Sequence, residues 1–179
     1  MDFLTKPIKR ELIRELASAF RKVFGYDNYY FDVIEVLERL PVMFDDVIVV
    51  IAPMSDPDVA KVPGTSYIDN GQFVIKIRED VYEGAYYYDI GEYRMHIMHE
   101  ICHALLFMLG YSPKFDRAFK NESLNPYESI EWQAKALAGE ILIPYGKTKG
   151  LSVDEIMDLC KVSRDAAIFR INLDSNEKK

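Results

Sequence analysis

The segment RMHIMHEICHALL, Arg94 to Leu106, decides how the chain is read. It sets His99, Glu100 and His103 in the pattern H-E-x-x-H, among apolar residues that read as a buried helix. On a helix, positions four apart differ by about 40° in azimuth and ~6 Å along the axis, so the two imidazoles face one point from adjacent turns. Glu100 is turned by about 100° from His99, beside that point but not aimed at it as a ligand. The chemistry this suits is a divalent cation that lowers the pKa of a water molecule, with a free carboxylate to take the proton.

Two histidines leave such a cation short of protein ligands, because a catalytic zinc generally takes three. The remaining histidine, His96, lies three residues before His99, but ~10.5 Å of helix axis separates it from His103. One ion does not bind all three, and His96 reads as a rim residue. The third donor is then a carboxylate from another helix. Glu128, Glu131 and Glu140 in the next apolar-periodic stretch are the candidates, and spacing alone leaves all three open.

Working outward, Ile8, Leu12, Leu16, Phe20 and Phe24 recur at four-residue spacing, which predicts an amphipathic helix capped by Thr5 and stopped at Gly25. FDVIEVLERL predicts a second helix ending before Pro41. VIVVIAP then reads as a buried strand, and TSYID and QFVIKIR flank Asn70-Gly71, the preferred two-residue hairpin turn. Together these predict a small antiparallel sheet. The tyrosine-rich stretch Glu79–Tyr93 reads as a loop leading into the helix of the opening motif, which should stop at Gly110. Residues 111–124 read as a surface connection, with Asn125 and Pro126 opening a helix that ends at Pro144. Ser152 with Glu155, and Ser163 with Ala166 and Ala167, open two more short helices. The fold class is α+β, in a single domain over residues 1–179 with its core at about 8–173 and a disordered tail at 174–179.

The chain has 179 residues, 22 Lys+Arg against 29 Asp+Glu, and a net charge of −7. That balance argues against general binding to nucleic acid or to an anionic membrane. No apolar run approaches the ~18 residues of a membrane span. The N-terminus carries charges where a secretory signal has its apolar stretch. Cys102 and Cys160 make no disulfide framework. Cytoplasm is the expected compartment.

With RMHIMHEICH followed by EWQAKALAGEILIP, the chain resembles the ImmA/IrrE family of metallo-endopeptidases. Members of that family pair an R-F-T-x-A-H-E-x-G-H segment with a later E-x-E-A-N-x-F-A-x-x-L-L-M-P segment. The resemblance extends over roughly residues 8–173. It implies a zincin-like zinc protease of the gluzincin type, with His99, His103 and Glu131 as ligands and Glu100 as general base. Mn2+ or Fe2+ would also suit two imidazoles and one carboxylate. The implied substrate is a helix-turn-helix repressor of a mobile element or stress regulon, cut as a separate protein. Among the departures from the pattern, Cys102 stands where the family has Gly, Gln133 replaces the second acid, and Lys135 replaces Asn. Lys135 lies four residues after Glu131, where a cation competes with a metal. Ligation without catalysis is the alternative, a silent zincin-fold binding or toxin–antitoxin-type partner.

Residues 151–173 resemble a helix-turn-helix. Asp154, Glu155, Asp158 and Asp165 outnumber Lys161, Arg164 and Arg170 there, whereas a DNA-reading pair is basic. The expectation is helix packing without nucleic-acid contact. Arg94 is expected to pair with an acid and anchor its helix. Tyr86, Tyr87 and Tyr88 are read as a packed or substrate-facing group rather than as catalytic residues.

Overall fold

The computed structural model describes residues 5–111 and 126–176. Helix α1 runs Arg10–Val23, not from Thr5. Residues 5–9 instead form an extended arm. The Thr5 N–H bonds the Glu128 carbonyl at 2.8 Å and the Ile8 N–H bonds that of Tyr127 at 3.0 Å. A tertiary pairing has thus taken the amides that a helix start would have left open. Gly25, at φ 80°, ends α1 as expected. Helix α2, Val33–Met43, is capped by the Asp32 carboxylate, which accepts from the N–H groups of Ile34 and Glu35. It continues through Pro41. Proline forfeits the bond to the Leu37 carbonyl, yet the next turn still closes, with the Phe44 N–H on the Leu40 carbonyl.

Three strands follow: β1 Val47–Ala52, β2 Gly64–Asp69 and β3 Gln72–Arg78. The Asn70-Gly71 turn, with both residues at positive φ, makes β2 and β3 antiparallel. The sheet is nevertheless mixed, because its order is β1-β3-β2 and β1 lies parallel to β3. The connection from β1 crosses to the far edge, so the hairpin returns β3 into the middle. That is the place for the most apolar strand, since Phe73, Val74, Ile75 and Ile77 are all buried.

Glu79–Tyr88, expected as a loop, is helix α3. Val81, Gly84 and Ala85 are buried at helical spacing. Gly84 is needed there, because a Cβ would stand 2.4 Å from the Tyr93 ring. The glycine that suggested a loop marks a close contact, and the exposed tyrosines occupy the solvent side. Helix α4, Gly91–Met108, carries the opening motif and ends at Gly110. Residues 112–125 lie outside the described residues, and with them the expected connection and the Asn125 cap. After a single 3-10 turn at Pro126–Glu128, helix α5 begins at Ile130 and runs to Leu142. Its cap is Ser129, whose hydroxyl accepts from the Trp132 N–H at 2.9 Å. Helix α6 spans Tyr145–Thr148, α7 spans Val153–Cys160 and α8 spans Arg164–Asn176. Ser152 and Glu155 form the expected capping box. Helix α8 takes in residues 174–176, the start of the expected tail.

One hydrophobic cluster runs from Ile8 to Ala167 and takes in residues of α1 to α5, α7, α8, β1 and β3. Arg94 sits inside it with its side chain 1% exposed. It pairs with Asp89 at 2.9 Å and donates to the carbonyls of Lys161 at 3.0 Å and Phe31 at 2.7 Å. It thereby joins α4 to the segments before α2 and α8. No helix among the described residues is long and apolar enough to cross a membrane. Because removing Arg94 leaves the Phe31 and Lys161 carbonyls without its donors and Asp89 with only the Tyr30 hydroxyl, Arg94→Met should lower unfolding free energy by about 3 kcal/mol, measured by urea denaturation.

Candidate metal centre

Helix α4 buries Ile97, Met98, Ile101, Cys102, Leu105 and Leu106 against α5 and the sheet. The uncovered strip is where His99 and His103 point. Their rings meet edge to face, with centroids 4.6 Å apart, and their Nε2 atoms approach to 3.1 Å. Glu131, in the first turn of α5, closes the triangle. Its Oε2 lies 3.2 Å from His99 Nε2 and its Oε1 lies 3.5 Å from His103 Nε2. One donor atom from each residue falls within 4.8 Å of the others.

These distances fit a cation. Ligand atoms about 2.05 Å from a tetrahedral zinc stand about 3.3 Å from one another, and the three separations observed bracket that value. Hydrogen bonds from His103 and then His99 hold the Glu131 carboxyl well below the usual carboxylate range, so it is an anion at neutral pH. The donor set is therefore two imidazoles and one carboxylate, half open to solvent, with Glu131 47% exposed.

Of the three acids that spacing left open, geometry brings only Glu131 to the histidines. Glu140 is buried and held by Arg10, Arg14 and Arg170. Glu128 lies in the 3-10 turn, where its carbonyl serves the N-terminal arm. His96 stands on the rim, 3.7 Å from Glu92. Lys135 lines a separate cleft with Met95, Trp132 and Phe169. Gln133, which departs from the family pattern, has a task of its own. Its buried amide nitrogen donates to the carbonyls of Lys6 and Tyr127, both at 2.7 Å, whereas an ionised acid could donate to neither and a protonated one to a single carbonyl. The Cys102 thiol is fully buried, and burial pushes its pKa up, which keeps it neutral.

Glu100 lies on the sheet side of the strip, and Ser66 of β2 donates to its Oε2 at 2.7 Å. Sequence reasoning did not single out Ser66. Its alternation in TSYID was readable, but its partner on α4 depends on how the sheet lies across the helix.

Two histidines from one helix and an acid from a second thus converge as a group that could hold a metal ion, with a further glutamate beside them. Residues 85–172 match the family model Peptidase_M78, described as the IrrE N-terminal-like domain. That is the family the two motifs resemble, and the match covers the segment that carries both. The match supports a metallopeptidase type of function, with a metal implied. A comparison with curated proteins returned no match.

Losing Glu131 removes a charged donor, so Glu131→Ala should weaken zinc binding by more than the ~100-fold that an outer-shell loss costs. Glu128→Ala should leave it unchanged. Metal analysis after dialysis against graded zinc buffers checks both.

Proposed function

We propose that the protein is a zinc-dependent endopeptidase, with His99, His103 and Glu131 holding the metal and Glu100 as the general base. The observation that carries this reading is the convergence of those three donors beside a carboxylate that stays outside the triangle. Bound zinc supplies Lewis acidity to the scissile carbonyl and to the attacking water. Glu100 accepts a proton from that water and passes it to the departing amine nitrogen, so one residue serves both halves of the hydrolysis. Strand β2 supports the binding of an extended substrate. It is an edge strand whose inner face meets α4 at Glu100, and its outer edge pairs with no other strand among the described residues.

The partner proposed is a helix-turn-helix repressor of a mobile element or stress regulon, cut in the cytoplasm, and this rests on family resemblance. The same reading treats residues 1–179 as one metallopeptidase domain in which α7 and α8 pack as a pair rather than read DNA. Ile156, Cys160, Val162 and Ala167 are buried between the pair and the core, in support of that.

Glu100→Gln separates an enzyme from a silent binding module. The variant should keep its zinc and lose about 100- to 10,000-fold in cleavage rate. Cleavage would be followed by mass spectrometry on casein and on the repressor encoded nearest the gene. Unchanged cleavage by the variant would overturn Glu100 as the base, and no cleavage by the zinc-loaded wild type would return the protein to the binding-module reading.

A further inference from the structure

A general base that is not a metal ligand needs something else to hold it. A glutamate side chain has three rotatable bonds, and leaving them free costs both entropy and aim. In this chain the holder comes from the sheet. Ser66 donates its hydroxyl to Glu100 Oε2 at 2.7 Å, while Oε1 has no hydrogen-bond partner among the described residues. One carboxylate oxygen is therefore tethered and the other is left to accept a proton.

The neighbouring residue on the same face of β2 makes this approach possible. Side chains alternate along a strand, so Gly64 and Ser66 both face α4. A Cβ on Gly64 would lie 3.3 Å from Glu100 Cγ and 2.9 Å from Ile77 Cδ1. With no side chain there, the strand settles close enough for the Ser66 hydroxyl to reach the carboxylate. The pleat and the register with β3, Gly64 opposite Ile77 and Ser66 opposite Ile75, fix the hydroxyl along the strand.

We propose that Ser66 is the positioning residue for Glu100, with Gly64 providing the clearance, so that the edge strand aims the base. The inference rests on the metallopeptidase reading above. It assigns Ser66 no contact with substrate or metal. Its effect runs through one hydrogen bond to the residue that moves the proton.

The test uses full-length, zinc-loaded protein and two readouts besides metal content. The first is the affinity for acetohydroxamic acid by calorimetry, because that probe gives its acidic proton to a carboxylate beside the metal. The second is kcat and KM on casein. Ser66→Ala should keep zinc content and thermal midpoint, weaken hydroxamate binding and lower kcat by about 10- to 100-fold, the usual cost of losing a partner that orients a site residue. KM should not move. Ser66→Thr, which keeps a hydroxyl and suits a strand, should restore most of both. Wild-type hydroxamate affinity in Ser66→Ala overturns the assignment, as does failure of the Thr variant to recover. A wild type that binds no zinc overturns the metal reading and the assignment together. A wild type that binds zinc without cleaving overturns the enzyme reading alone, and the hydroxamate series still decides Ser66.

Discussion

The packing of α5 across α4 is the constraint on which the rest of the molecule turns. Helix α4 can bring two imidazoles to one side by itself, because successive turns stack positions 99 and 103. It cannot supply the acid. That comes from the first turn of α5, whose buried face of Ile130, Ala134, Leu137, Ala138 and Ile141 is pressed into the common core. The contact is made of small and branched apolar residues, so the helices approach closely and in one register. A slip of one turn along that seam would carry Glu131 about 5.4 Å from the histidines. Core packing, rather than the charged groups, therefore sets the geometry of the centre.

The sheet supplies the second boundary. Strand β3 fills the middle with apolar side chains on both faces, and that leaves β2 on the edge with a polar residue turned inward to Glu100. The centre is thus bounded by a helix that brings Glu131 and a strand that brings Ser66. The two sit on opposite sides of the same strip of α4.

Much of this could be read in the chain beforehand, and the failures have definite causes. The i, i+4 histidines and the Asn70-Gly71 hairpin depend on neighbours within a few residues, and both appear where spacing put them. The capping box at Ser152 is of the same kind. Glu131 could be told from Glu128 and Glu140 only by resemblance, because all three are acids near one helix. What separates them is three arginines around one and a backbone turn around another. Helix α3 was hidden by a glycine that serves a tight tyrosine contact. The parallel pairing of β1 and the bond from Ser66 are long-range choices, made by which edge of β3 stays free, and no local pattern encodes them.

The arm at residues 5–9 has a further consequence. It is stitched to the turn before α5 by two backbone bonds, its Lys6 carbonyl is gripped by Gln133, and Arg10 and Arg14 of α1 reach Glu140. Every one of these ties ends on α5 or on the turn that leads into it, the element that carries Glu131, and every one starts outside residues 85–172. The family-matched stretch is therefore not mechanically independent. Cut free at its own boundary, it would keep all three donor residues and lose the moorings that hold one of them in place. Affinity for the cation then becomes a gauge of whether residues 5–14 are docked.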